Sequence, residues 1–128
     1  MAQEDSKQYA LVAARAIDEK KGTDIVIQDV SKLLKVTDYF VIATGANNRR
    51  VDAIAEEVED KLREQCGIKP ISREGKDELE WVLLDYGCIV VHVFQPEARD
   101  YYRLEELWND APTLDLSKEE GFEDLNEA

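Results

Sequence analysis

The sequence predicts a single α/β domain in which helices flank a mixed β-sheet, and three features lead there. First, 128 residues suffice for one hydrophobic core and leave nothing over for a second. Second, helical and strand-like apolar patterns alternate in the order helix, strand, strand, helix, strand, strand, strand, helix, without internal repeat. Third, Thr37 to Gly45 is continuously apolar in its middle, as a strand covered on both faces has to be. Hydrophobic residues at 44%, charged residues at 35% and only 6 Gly and 3 Pro exclude collagen-like, low-complexity and mostly disordered chains.

The elements follow in order. Tyr9, Val12, Ala13, Ala16 and Ile17 recur at helical spacing, and Lys20-Lys21-Gly22 suits the C-terminal end of that helix, where cations meet the dipole and Gly takes a left-handed cap. Asp24 to Gln28 is a short β-branched run, read as one strand, and Ser31 to Lys35 is polar. After the central strand, Asn47 and Asn48 are good N-caps for a helix whose stripe is Val51, Ile54, Ala55, Val58 and Leu62, and Gly67 stops it. Ile68 to Ile71 is a short or edge strand at most, because Pro70 donates nothing to a ladder. Ser72 to Glu80 reads as a polar loop.

Glu80 to Asp85 and Cys88 to Phe94 are strands separated by Tyr86-Gly87, read as a two-residue hairpin turn. That turn pairs Asp85 with Cys88, Leu83 with Val90 and Trp81 with His92. One hairpin face is then Val82, Leu84, Ile89, Val91 and Val93, and the other Trp81, Leu83, Asp85, Cys88, Val90 and His92. Pro96 opens a final helix, Glu97 to Trp108, stopped by Asn109-Asp110-Ala111-Pro112. Residues 113–128 lose periodicity and read as a disordered tail, dispensable for folding.

Charge narrows function. The formal balance is −13; the last sixteen residues hold six acids against Lys118 and so carry −5, which leaves −8 on the body. Such a surface repels a phosphate backbone, so extended direct nucleic-acid binding is not expected, whereas a basic protein partner is attracted and steered. No apolar run nears the ~20 residues of a membrane span. The polar, acidic N-terminus lacks the pattern of a secretory signal, and the expected location is the cytoplasm. Cys66 and Cys88 form no metal or haem motif with the single His92 and read as reduced thiols; no metal or cofactor is expected.

Two candidate sites stand out. Thr44-Gly45-Ala46-Asn47-Asn48-Arg49-Arg50 joins a buried strand to a helix N-terminus, where free amides, Arg49 and Arg50 make a candidate anion site. Its single glycine falls short of a dinucleotide or Walker loop, and no Asp-x-Asp lies on a strand to hold Mg²⁺. A nucleotide-binding or nucleotidyltransferase-like enzyme built on Gly45 to Arg50 is thus the second reading. The first is a binding protein: Trp81 and Asp85 share the less apolar hairpin face, an aromatic anchor with a carboxylate at i+4 that suits a basic partner.

Thr37 to Gly45, Arg49 to Val51, Ala53-Ile54-Ala55, Glu74-Gly75, Trp81 to Gly87, Ile89 to Phe94 and Arg99 to Trp108 together resemble the ribosomal silencing factor family, also called Iojap-like. The resemblance runs from about the first helix to Pro112, giving a domain over 1–112 and an acidic tail over 113–128. It implies a nucleotidyltransferase-like topology without known catalysis. It also implies a repressor of translation in nutrient stress that binds the large ribosomal subunit through large-subunit ribosomal protein fourteen and blocks small-subunit joining. The family is often dimeric, which makes a homodimer an expectation. The matching tryptophan and aspartate, Trp81 and Asp85, lie on the family's docking surface; Val82 and Tyr86 join them by adjacency. Cys88 departs from the family, which usually has an acidic residue there, so this edge is less acidic.

Overall fold

Strand β5 (Ile89–Phe94) is buried at every residue and lies at the centre of a five-stranded sheet. The computed structural model describes residues 3–116. The elements are α1 (Gln3–Glu19), β1 (Thr23–Asp29), β2 (Tyr39–Thr44), α2 (Asn48–Cys66), β3 (Ser72–Glu74), β4 (Trp81–Asp85), β5, α3 (Pro96–Tyr102) and α4 (Leu104–Leu107). Strand order is β1-β2-β5-β4-β3; β2 and β5 are parallel and the other pairs antiparallel, which makes the sheet mixed as predicted.

Two cores lie on the two faces. On one, α1 and α2 bury Ala13, Ile17, Ile54, Val58 and Leu62 against Val41, Val82, Leu84, Val91 and Val93. The alanines of α1 keep it close to its neighbours: Ala10, Ala13 and Ala14 have no exposed surface. On the other, α3, α4 and the segment after them cover Val30, Phe40, Ile42, Val90 and Phe94 with Leu104, Ala111 and Trp108. Buried Gln28 holds this second layer down, its Nε2–H donating to the carbonyl of Glu105 at 2.9 Å.

Helix α2 starts and stops as its sequence predicts. Asn47 Oδ1 accepts the N–H of Arg50 at 2.9 Å, and Gly67 at φ 69° closes a left-handed cap on the carbonyl of Arg63. Helix α1 is longer than its apolar stripe. Ser6, fully buried in its first turns, donates to Asp38 at 2.6 Å and ties the helix to the approach to β2.

Four expectations are corrected. The hairpin register slips by two: Asp85 faces Val90, Leu83 faces His92 and Trp81 faces Phe94. The turn centres on Gly87-Cys88 because Gly87, at φ 83°, supplies the left-handed position, its N–H held by Asp85 Oδ1 at 2.8 Å, while Tyr86 stays extended and buries its ring. A slip of two preserves the faces, except that turn residue Cys88 packs on the α1–α2 side. The final helix breaks at Arg103, φ 48°, which lets Leu104 drop onto the sheet and Arg99 clamp both Glu105 (2.5 Å) and Thr44 Oγ1 (2.8 Å). The third strand is Ser72–Glu74 rather than 68–71; exposed at all three residues, it has no burial pattern to betray it.

The fourth correction concerns residues 113–116. Asp29 N–H donates to Pro112 O and Leu114 N–H to Ile27 O, both at 2.8 Å, so this segment covers the outer edge of β1. Leu116 is 8% exposed and joins the α1–α2 core. The domain therefore runs past Pro112; residues 117–128 of the expected tail lie outside the described residues. Leu116→Ala is expected to destabilise the protein by about 2 kcal/mol, on the order of 5–10 °C in Tm. Truncation after Pro112 removes the edge hydrogen bonds as well and is expected to cost more. An unchanged melting curve in both variants would show that this segment contributes nothing to the fold.

Candidate functional site

Along β4 the side chains alternate half-buried, buried, half-buried, buried, half-buried. Val82 and Leu84 point into the α1–α2 core, and Trp81, Leu83 and Asp85 line the opposite face. The second helical layer packs on β5 and touches β4 through Tyr102 on Trp81, and the row Trp81, Leu83 and Asp85 stays only half-buried. Beyond it the short edge strand β3 pairs Glu74 with Leu83 and Ser72 with Asp85, so both exposed polar residues flank the row on the same face.

Trp81 is rigidly held. Its indole stacks on Phe94 with centroids 4.8 Å apart, meets Tyr102 at 4.8 Å, and donates Nε1–H to Nδ1 of His92 at 3.1 Å. With Nδ1 accepting, neutral His92 carries its proton on Nε2, a buried nitrogen without a partner. The imidazole is 4% exposed, and burial lowers its pKa from 6.5 to about 3. Its ring neighbours, Phe40, Trp81 and Phe94, do not titrate in this range. The only histidine is therefore a fixed acceptor for the tryptophan. The backbone of Trp81 is constrained too: Gly75, φ 83°, packs so closely that a Cβ there would lie 1.9 Å from the Trp81 carbonyl oxygen.

Trp81 and Asp85 thus share one face, as the pattern predicts. The expectation that Val82 and Tyr86 join them is corrected by the pleat: Val82 is fully buried and Tyr86 is 7% exposed, both in the α1–α2 core. Burial pushes the Tyr86 phenol well above its ordinary pKa, and its hydroxyl has no partner. Leu83, Tyr102 and Glu74 belong to the site but were not singled out from sequence. Strict alternation nominates Leu83, whereas the other two depend on the helix break at Arg103 and on an unpatterned edge strand.

The candidate anion loop is differently employed. Gly45 N–H donates to Phe94 O at 2.8 Å, and a Cβ on Gly45 would meet Val51 at 2.9 Å, so this glycine serves strand–helix packing. Arg50 donates from Nη1 to Lys20 O at 3.2 Å, supporting the end of α1, and Arg49 is exposed.

The profile described as ribosomal silencing factor during starvation matches residues 3–127. The chain belongs to the ribosomal silencing factor family. The ribosomal silencing factor of Bacillus subtilis is 45% identical over 112 residues, covering 88% of this chain and 94% of its own. A crystal structure of a Chromobacterium violaceum protein superposes with a TM-score of 0.77 at 42% identity, over 80% of this chain and 85% of the other. One from Bacillus halodurans gives 0.75 at 37% identity, over 85% and 98%. The family's name describes a regulator of ribosomes, and the mixed α/β sheet is shared with these structures.

Two expectations follow for this member of the family. The unfolded chain protonates its histidine near pH 6.5 and the fold only near 3, so stability falls as pH drops through that window, by up to about 1.4 kcal/mol per unit. His92→Phe is expected to flatten the urea-unfolding free energy between pH 6.5 and 5; equal slopes in both proteins would refute the buried neutral imidazole. Gly75→Ala is expected to cost about 2 kcal/mol and to shift the Trp81 indole N–H resonance, because backbone has to move. A variant with wild-type stability and resonance would show that the contact relaxes freely.

Proposed function

We propose that this protein is a non-enzymatic silencing factor of the cytoplasm. In this reading it docks on the large ribosomal subunit through ribosomal protein fourteen and sterically blocks joining of the small subunit, lowering translation when nutrients are scarce. The observation that carries the reading is the arrangement around Trp81. A large aromatic side chain, partly in solvent, is fixed by the stacked ring of Phe94, the tilted ring of Tyr102 and one hydrogen bond, with Leu83 and Asp85 beside it. An anchor already in one orientation loses little side-chain entropy on binding, and hot spots are commonly such aromatics. The body's negative charge supports a basic protein as the surface that receives it. His92, buried and neutral with its proton sealed from solvent, is unsuited to acid–base work.

A sucrose-gradient assay of subunit joining tests this with wild type, Trp81→Ala, Trp81→Phe and Asp85→Ala, each shown by circular dichroism to be folded. Trp81→Ala is expected to cost at least about 2 kcal/mol, so that roughly thirtyfold more protein is needed to block joining. Trp81→Phe keeps the stacking and loses the hydrogen bond, and an intermediate loss is expected. Asp85→Ala is expected to weaken docking as well. Folded variants that all block joining at wild-type concentration would remove this face from the docking surface.

A further inference from the structure

Beside Trp81 a cavity of about 310 Å³ opens between the start of β4 and α3, lined by Glu80, Gln95, Glu97, Ala98, Tyr101 and Tyr102. Its chemistry is one-sided. Two carboxylates, an amide and two phenol rings face it, and no lysine or arginine lines it. Neither Glu80 nor Glu97 is in an ion pair among the described residues. Gln95 donates its Nε2–H to Leu79 O at 3.0 Å, which leaves Oε1 as an acceptor in the lining. The Gln95 N–H bonds Glu80 O at 2.9 Å and ties the two rims together.

The tyrosines mark the cavity as more than solvated surface. Tyr101 is 80% exposed and Tyr102 50%, although both rings are large and partly apolar. They stand edge to face, centroids 5.0 Å apart and planes at 87°, which makes two walls of a corner. Aromatic faces attract cations through the ring quadrupole, and carboxylates add charge-assisted hydrogen bonds. The site is continuous with the docking row, since Tyr102 also packs on Trp81 at 4.8 Å. By contrast, the mixed-charge cleft on the other face of α3, lined by Arg99, Arg103, Glu105 and Glu106, satisfies its arginines internally.

We propose that this cavity receives an arginine side chain of the protein partner, its guanidinium lying against a tyrosine ring while its N–H groups reach Glu80 or Glu97. This rests on the docking function proposed above and adds a second anchor point to it. Arginine fits better than lysine because a planar, weakly hydrated guanidinium stacks and donates at once.

Two measurements separate the cavity from the docking function. In the first, the labelled full chain is titrated with ethylguanidinium chloride and followed by two-dimensional NMR, with potassium chloride at matched ionic strength as control. Shifts are expected at Ala98, Tyr101, Tyr102 and the Gln95 amide, and are expected to vanish in Glu80→Gln/Glu97→Gln; shifts spread evenly over the acidic surface would overturn the inference. In the second, co-sedimentation with purified large subunits compares that double variant and Tyr101→Ala with Glu56→Gln/Glu64→Gln, an equal charge change on exposed positions of α2. The cavity variants are expected to lose about tenfold in affinity and the α2 control less than about twofold. If wild type binds and the cavity variants bind equally well, the cavity inference falls and the docking function stands. If wild type does not bind, the docking function falls, and with it the assignment of the arginine to that partner.

Discussion

Burial of β5 on both faces is the constraint on which the other features depend. A strand with six consecutive buried residues needs a layer on each side, and the chain supplies two unequal ones. Helices α1 and α2, of 17 and 19 residues, cover one face broadly. The other face is covered by α3 and α4, of 7 and 4 residues, with the segment that follows them. The short layer seals β5 and β2 but leaves β4 half open. The candidate docking row is thus a consequence of how much helix the sequence spends on each face.

Much of this was legible because two-residue alternation is a strong signal. Val82 and Leu84 against Trp81, Leu83 and Asp85 sorts β4 into an inner and an outer face, and a register error of two residues leaves the sorting intact. The caps of α2 were legible for a similar reason: Asn47 accepts a free N–H at the helix start and Gly67 takes the left-handed position at its end, each a residue type suited to its place. The family resemblance singled out Trp81 and Asp85, and the fold puts both on one face.

What was not legible depends on contacts distant in sequence. Nothing local breaks the helix at Arg103; the gain comes from Leu104 reaching the second core and Arg99 joining Thr44 to Glu105, more than fifty residues apart. Leu114 and Leu116 sit among acids and look like tail until the unpaired edge of β1 is known to lie beside them. The tautomer of His92 likewise cannot be read from a lone histidine, because it is set by the indole across the hairpin.

One strand therefore presents two separable faces, and the proposed docking function uses only one of them. Along β4, Val82 and Leu84 have no exposed surface and belong to folding, while Trp81, Leu83 and Asp85 meet solvent and can belong to binding. Trp81 is the residue at which folding and the proposed docking touch, because its indole closes the second core through Phe94 and Tyr102 while its remaining surface stays open. The Nε1–H to His92 bond divides them. A tryptophan used only for packing could turn its N–H to water, whereas one held to a buried acceptor presents a fixed edge. That bond leaves His92 with a buried, unpartnered Nε2–H, an arrangement that ordinarily costs about 1–3 kcal/mol. Tolerating this cost to orient a half-exposed indole makes sense where the orientation itself is used.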